Sequence, residues 1–143
     1  MGQHGAVPLT FPVAPMKAGI GTLPPDDDRW AYEIKWDGYR TLAFVDQGRV
    51  RLQSSRMHDV TATYPELGGL AAGVHAGTAI LDAELVVLDD TGRPRFDLVQ
   101  RHAGPAVLFC FDVLRVGDHD TIELPYEDRR RLLEQLVEPG DHW

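Results

Sequence analysis

Hydrophobic and polar positions alternate along the first half of the chain. Between Trp30 and Trp36 every second residue is aromatic or aliphatic, so Glu33 and Lys35 share the opposite face. Asp37-Gly38 then suits a hairpin turn, because glycine tolerates positive φ. This pattern predicts a β-meander of three strands over residues 30–36, 39–46 and 49–54.

Apolar runs and two amphipathic patterns follow in the second half. We expect strands over 79–88 and 107–114, and the nearly continuous apolar run of the second indicates burial on both faces. Short helices are predicted within 64–73 and over 96–102. A last helix begins near Pro125, since proline is tolerated in a first helical turn. Strands dominate, so the expected fold class is α+β with a largely antiparallel sheet and few helices.

Composition narrows the class of protein. The chain has 143 residues and a net charge of −8, which disfavours a free-standing, non-specific DNA binder. Its single cysteine, Cys110, excludes an internal disulfide and fits a cytoplasmic protein. No apolar run approaches membrane-spanning length. Residues 1–29 are rich in proline and glycine and predict an N-terminal arm, with one domain over 30–143.

Lys35 is the first residue with candidate chemistry. Only two lysines occur, Lys17 and Lys35, beside twelve arginines. A lysine can lose its proton and act as an amine nucleophile, which an arginine cannot do. Arg40 lies just beyond the Asp-Gly pair, where it could bind a phosphate or a sugar. The structural alternative is an exposed hairpin with both cations on its rim.

Asp82 and Glu84 form the second candidate pair. They share one face of an otherwise apolar strand, and a buried carboxylate requires a polar or cationic partner. Ribose hydroxyls and Mg²⁺ are suitable partners. The alternative is a half-exposed edge strand with solvated acids.

Phe111 and Arg56 are weaker candidates. Phe111 stands in an apolar strand, where an aromatic ring can stack on a purine or simply fill the core. Arg56 follows Ser54-Ser55 after a strand, where it can bind a phosphate or remain a solvated loop residue.

Five short motifs together resemble the ATP-dependent DNA ligases, in particular the bacterial ligases of end-joining repair. In chain order they are Lys35-x-Asp37-Gly38-x-Arg40, Ser55-Arg56, Asp82-Ala83-Glu84-Leu85, Phe111-Asp112-Val113-Leu114 and the arginine-rich segment that starts at Leu124-Pro125. Ala83 stands where glycine is commoner in the family. The resemblance implies a nucleotidyltransferase, or adenylation, fold.

The resemblance also implies roles. Lys35 would attack the α-phosphate of ATP and carry AMP as a phosphoramidate. Glu84 would contact the ribose and Phe111 would stack on adenine. Glu33, Arg40 and Arg56 would complete the ATP site. Asp82 and Glu84 are the candidate ligands for Mg²⁺ or Mn²⁺, and nicked DNA would be the partner.

The family pattern is incomplete here. A downstream Glu-Gly motif, a Lys-x-Lys motif and an oligonucleotide-binding barrel belong to the family but not to this sequence. We therefore expect a partial adenylation domain with little nick-sealing activity alone, which needs a further C-terminal segment or a second polypeptide. Two alternatives stay open: a non-catalytic module that binds a nucleotide or a partner, and an RNA ligase or capping-type nucleotidyltransferase.

Overall fold

A five-stranded antiparallel sheet forms the centre of the fold in the computed structural model, which describes residues 9–143. Its spatial order is β2-β1-β3-β4-β5. The strands are β1 (Tyr39–Asp46), β2 (Arg49–Ser54), β3 (Thr78–Val87), β4 (Ala106–Val116) and β5 (His119–Asp120). The helices are α1 (Phe96–Gln100), α2 (Tyr126–Leu136) and 3₁₀ helices at Asp27–Arg29, Thr61–Thr63 and Pro65–Gly73. The predicted α+β class with few helices is confirmed.

One face of the sheet carries the main hydrophobic core. Alternate residues of β3, from Ala79 to Val87, point to this face and are almost fully buried. The 3₁₀ helix at Pro65–Gly73, α1 and α2 cover it, each through apolar residues such as Leu67, Val99 and Leu133. These helices cover only this face of the sheet.

The second face is divided into an apolar part and a polar part, and the polar part carries Arg40, Asp82 and Glu84. Leu42, Phe44 and Ile80 form a small cluster that Phe11 and Val13 of the N-terminal segment cover. The Gln53 side-chain amide holds that segment: Val13 N donates to Gln53 Oε1 at 2.8 Å, and Gln53 Nε2 donates back to the Val13 carbonyl at 2.5 Å. The predicted arm is thus docked on the sheet between residues 9 and 13, and residues 1–8 lie outside the described part.

The predicted strand over residues 30–36 is wrong. These residues form no strand, and Trp30, Tyr32 and Ile34 are exposed. The reason is that β1 already pairs with β2 on one side and with β3 on the other, so no edge is left for a further partner. Asp37-Gly38 is consequently an entry into β1 and not a hairpin turn, and the predicted three-strand meander is reduced to the β1–β2 hairpin.

Strand β4 is less buried than its apolar run predicts. It buries only part of its side chains and leaves several, including Phe109 and Phe111, half-buried beside an open cavity. Two register shifts also interrupt its pairing with β3. Asp112 opposes Asp82, but Cys110 opposes Ala83, so Phe111 is an extra residue in a bulge.

Several other predicted elements are found at or near their expected positions in the chain. Strand β3 is central and not an edge strand, which removes the alternative of solvated acids on an edge. The helical region after Pro65 is a 3₁₀ helix, α1 is two residues shorter than predicted, and α2 starts directly after Pro125. Cys110 is free.

Candidate nucleotide-binding site

A cavity of about 880 Å³ opens beside the polar part of the second sheet face. Residues 32–36, the half-buried part of β4 and one side of α2 form its walls. Five of the six residues that the sequence predicts for ATP binding line this cavity: Glu33, Lys35, Arg40, Glu84 and Phe111. The structure therefore brings together side chains that are far apart in the sequence.

Arg40 and Asp82 form a bidentate ion pair at the floor of the site. Arg40 Nε donates to Asp82 Oδ1, and Arg40 Nη2 donates to Asp82 Oδ2 at 2.7 Å. The two residues lie on adjacent strands, and the Asp82 side chain is only 4% exposed. Burial raises the pKa of the Asp82 carboxyl, while its hydrogen bonds with Arg40 oppose that rise. The two parallel hydrogen bonds fix the orientation of the Arg40 guanidinium plane.

Glu84 lies directly opposite Arg40 in the register of β1 and β3. Its Oε1 accepts a hydrogen bond of 3.2 Å from the backbone N–H of Gly38. Burial raises the pKa of Glu84, and the Gly38 N–H and Arg40 both act in the opposite direction. A glycine is required at position 38, because a Cβ there would lie 2.1 Å from the Leu85 carbonyl oxygen. This close approach and the hydrogen bond to Glu84 place Gly38 directly against β3.

Aromatic rings form the apolar wall. The Arg40 guanidinium carbon lies 4.7 Å from the centroid of the Phe111 ring, a cation–π contact. Trp36 meets Phe109 edge to face at a centroid distance of 4.5 Å. Phe109 and Phe111 both line this wall, and Phe111 does so from the bulge in β4.

Lys35 projects into solvent at the mouth of the cavity. Its side chain is 89% exposed, and Lys35 Nζ lies 3.1 Å from Asp37 Oδ1. An amine in this position is accessible to a ligand held in the cavity. Unlike Arg40, it is attached to a segment without regular secondary structure.

Tyr126, the first residue of α2, also lines the cavity. Its hydroxyl donates a hydrogen bond of 2.6 Å to Glu33 Oε1, across 93 positions of the sequence. Burial and this hydrogen bond to Glu33 raise the pKa of Tyr126 to about 12. The sequence motifs included Tyr126 only as part of the arginine-rich segment, because no local pattern reveals such a distant contact.

A second bidentate ion pair joins α2 to β4. Arg129 donates to both oxygens of Asp112, at 2.8 and 3.0 Å, and to the Leu124 carbonyl at 2.6 Å. Asp112 follows the bulged Phe111 directly. The pair therefore holds the end of the bulge against the helix.

Arg56 does not join the other predicted ATP-binding residues in the main cavity. It lines a second cavity of about 500 Å³, together with Tyr39, Thr41 and Ser55. Arg40 lines both cavities and so lies between them.

The predicted metal ligands, Asp82 and Glu84, differ in their hydrogen-bond partners. Asp82 is engaged by Arg40, and residues 9–143 contain no group of three or more histidine, cysteine, aspartate or glutamate side chains arranged to hold a metal ion. Within the same described part of the chain, no helix is long and apolar enough to cross a membrane.

Comparison with known proteins identifies the family. The family described as ATP dependent DNA ligase domain matches residues 22–143, which is most of the chain. The chain therefore belongs to the ATP-dependent DNA ligase domain family. The resemblance predicted from the five motifs is confirmed.

The relatives include bacterial end-joining proteins. The chain is 42% identical over 128 residues to the multifunctional non-homologous end joining protein LigD of Mycobacterium bovis, covering 87% of this chain and 17% of that protein. It is 32% identical over 144 residues to DNA ligase C of Mycobacterium tuberculosis, covering 92% and 39%. The chain thus spans less than half the length of either relative.

Solved structures agree with this assignment. The structure of mycobacterial DNA ligase D complexed with ATP and MES superposes with a TM-score of 0.67 at 38% identity, covering 77% of this chain and 40% of that one. The ligase domain of M. tuberculosis LigD gives a TM-score of 0.66, also at 38% identity.

Proposed function

We propose that the main cavity binds ATP and that Lys35 takes AMP from it, as the first step of a DNA ligase reaction in end-joining repair. The observation that carries the proposal is the convergence of Lys35, Arg40, Glu84 and Phe111 on one cavity. The end-joining protein LigD, the relative named DNA ligase C and the structural relative with bound ATP support the same activity.

The chemistry of this first step is nucleophilic substitution at phosphorus. Lys35 Nζ, once deprotonated, forms a bond to the α-phosphorus of ATP. The bond from that phosphorus to the bridging oxygen breaks, and pyrophosphate leaves with its electron pair. The product is a lysyl-AMP phosphoramidate. The exposed position of the Lys35 amine allows this approach without removing a buried group from its partners.

The sheet residues would hold the nucleoside. Glu84, whose carboxylate already accepts one backbone hydrogen bond, would accept another from a ribose hydroxyl. Phe111 would stack on adenine through the ring face opposite Arg40. Arg40 would provide positive charge between the two cavities, and Arg56 would bind a phosphate in the second one.

A divalent cation would enter with the ATP phosphates and not occupy a preformed protein cage. Mg²⁺ keeps several waters and commonly binds through substrate phosphates and one or two carboxylates. Since Asp82 pairs with Arg40, Glu84 is the carboxylate of the predicted pair that retains free acceptor capacity.

Nick sealing is proposed for a larger assembly than this chain. The chain carries a net charge of −8, and DNA phosphates require a basic surface. A further segment or a second polypeptide with the Lys-x-Lys motif would supply it, and nicked DNA would be the partner. We place this reaction in the cytoplasm, in accord with the single free cysteine.

The test is covalent labelling with α-³²P-ATP and Mg²⁺. The chain is incubated alone and fused to the segment that follows the matched region in the LigD relative, and it is then separated on a denaturing gel. Label is expected on Lys35 by mass spectrometry, absent in Lys35→Arg and retained in Lys17→Arg, the matched control. Label on Lys17 would contradict the role of Lys35. Absence of label from the fused protein would instead favour a non-catalytic module, and a preference for GTP or RNA would favour the capping or RNA-ligase alternative.

A further inference from the structure

The ion pair of Lys35 does not fix the amine relative to the main cavity. The Lys35 side chain is 89% exposed, and its partner Asp37 belongs to the same segment of the chain. Residues 30–36 form no strand, so no ladder of hydrogen bonds holds them either. The position of the Lys35 amine therefore depends on the points at which this segment is attached to the rest of the protein.

Two side chains close to Lys35 attach the segment. Trp36, which follows it directly, packs edge to face on Phe109 of β4 at a centroid distance of 4.5 Å. Glu33, two residues before it, accepts the 2.6 Å hydrogen bond from the Tyr126 hydroxyl. This length is typical of a charge-assisted bond from a hydroxyl to a carboxylate. Two residues of chain span at most about 7 Å, so an attachment at Glu33 limits how far Lys35 can move.

Helix α2, which supplies the Tyr126 hydroxyl, is itself firmly placed. Arg129 binds both oxygens of Asp112 on β4, and the two side chains are only 14% and 12% exposed. Leu133 packs the other side of the helix into the main core. Both attachments of the segment thus lead to one unit, made of β4 and α2. The same unit carries Phe111, the residue proposed to stack on adenine.

We propose that Tyr126 is a positioning residue for the nucleophile: its hydroxyl holds Glu33, and it thereby sets the position of Lys35 relative to a nucleotide bound against Phe111. This inference rests on the proposed function of the cavity. Bond formation at phosphorus requires a close and aligned approach of the amine, so a displaced Lys35 reacts more slowly. Tyr126 should consequently affect the rate of lysyl-AMP formation more than the affinity for ATP.

The experiment compares wild-type, Tyr126→Phe and Arg131→Gln proteins. Phenylalanine keeps the aromatic ring that lies 6.0 Å from the Arg129 guanidinium carbon, so only the hydroxyl is lost. Arg131→Gln is the control on the same helix, because it removes exposed ion pairs with Glu127 and Asp128. Urea unfolding confirms that both variants are folded.

The first measurement is the backbone ¹⁵N order parameter of Lys35, determined by NMR relaxation on the 143-residue chain. This quantity reports motion on the picosecond to nanosecond timescale and needs no nucleotide. In Tyr126→Phe we expect a lower order parameter at Lys35 and unchanged values in β3. Arg131→Gln should keep the wild-type value.

The second measurement is the rate of lysyl-AMP formation from α-³²P-ATP over a range of ATP concentrations, for the chain alone and for the fused protein of the labelling test. In Tyr126→Phe the maximal rate should fall about threefold to tenfold. This is less than the roughly 100-fold effect of a misplacement by about 1 Å, because Trp36 and Gly38 still hold the segment. The half-saturating ATP concentration should stay within about twofold of wild type. Arg131→Gln should keep the wild-type rate.

A double-mutant cycle tests whether Tyr126 acts through Glu33. In a Glu33→Ala background, Tyr126→Phe should not lower the maximal rate further, because the hydrogen bond is already lost. A further fall in that background would show a different role for Tyr126 and would overturn the inference.

Other results would also overturn it. An unchanged order parameter at Lys35 would show that the hydroxyl does not hold the segment. An unchanged maximal rate in Tyr126→Phe, with or without weaker ATP binding, would remove the positioning role and leave Lys35 as the nucleophile. Equal losses of rate in Arg131→Gln would show that any weakening of α2 has the same effect. Absence of label from both forms of the wild-type protein would overturn the proposed function itself, and the inference with it.

Discussion

Two regions of the site hold their functional side chains in different ways. Strands β1 and β3 hold Arg40, Asp82 and Glu84 by ladder hydrogen bonds and by a bidentate ion pair. Residues 30–38 hold Lys35 without regular structure and with an ion pair that is largely exposed. The difference matches what each region is proposed to do. A binding surface benefits from rigid geometry, while a nucleophile must reach phosphorus and later carry AMP.

The first prediction compares the stability contributions of the two ion pairs, one in each region. Asp82→Ala leaves Arg40 without its partner at a mostly buried position, and we expect the free energy of unfolding to fall by about 3 kcal/mol. Asp37→Ala removes the partner of Lys35, whose side chain is 89% exposed, and should cost less than about 1 kcal/mol. Urea denaturation of both variants measures the contrast. Equal losses would show that the two ion pairs do not differ as their burial indicates.

The second prediction concerns Gly38, the joint at which the segment that carries Lys35 meets the sheet. Gly38→Ala places a Cβ against the Leu85 carbonyl, so the chain must shift, at a cost of about 1–3 kcal/mol. The shift also displaces Lys35, and the rate of lysyl-AMP formation should fall. Gly21→Ala is the matched control, because a Cβ at Gly21 meets nothing within 4 Å. Unaltered stability and labelling in Gly38→Ala would mean that the joint does not constrain the nucleophile.

The third prediction tests whether Glu84, on the sheet, contributes to ATP binding. Glu84→Ala should weaken ATP binding by about 1–3 kcal/mol, the range for loss of a hydrogen bond to a charged group. Titration calorimetry gives the change, and Glu123→Ala controls for removal of an exposed carboxylate. ATP affinity equal to that of the wild type, in a folded Glu84→Ala protein, would exclude a ribose contact.

The fourth prediction is the smallest and follows from the raised pKa of Glu84. In the folded protein this carboxyl binds its proton more tightly than its ordinary pKa of 4.5 allows. Its contribution to stability is therefore greatest below that value and declines as pH rises through the folded pKa. Glutamine does not titrate, so Glu84→Gln should gain stability relative to wild type as pH rises from about 4 to about 7. Urea unfolding across that range detects the trend, and a constant difference would contradict it.

The sequence predicted the strands of the sheet better than it predicted residues 30–38, the segment that leads into β1. The pattern of hydrophobic and polar positions located β1 and β2 correctly, because hairpin pairing is local. The same alternation over residues 30–36 was misleading, since a strand also needs a free edge, and both edges of β1 are occupied. Edge occupancy depends on β3, which lies about 40 residues further on, and no local pattern contains it.

The candidate site shows the same limit. The motifs identified the residues of the main cavity through resemblance, and four of the five motifs contribute side chains there. Arg56 lies instead in the second cavity, because β2 ends on the far side of β1 from β4. The contacts of Tyr126 with Glu33 and of Arg129 with Asp112 join segments that only the tertiary structure brings together.

The bulge at Phe111 adds one residue to β4 without changing the pairing on either side of it. Opposite Asp82 and Ala83, β4 uses the three residues Asp112, Phe111 and Cys110. Deletion of Phe111 would leave Cys110 opposite Ala83 and Phe109 opposite Glu84, so the other side chains of β4 would keep their faces. The cavity wall would lose only the Phe111 ring. The bulge is therefore the feature by which β4 presents an additional aromatic residue while its pairing with β3 is kept.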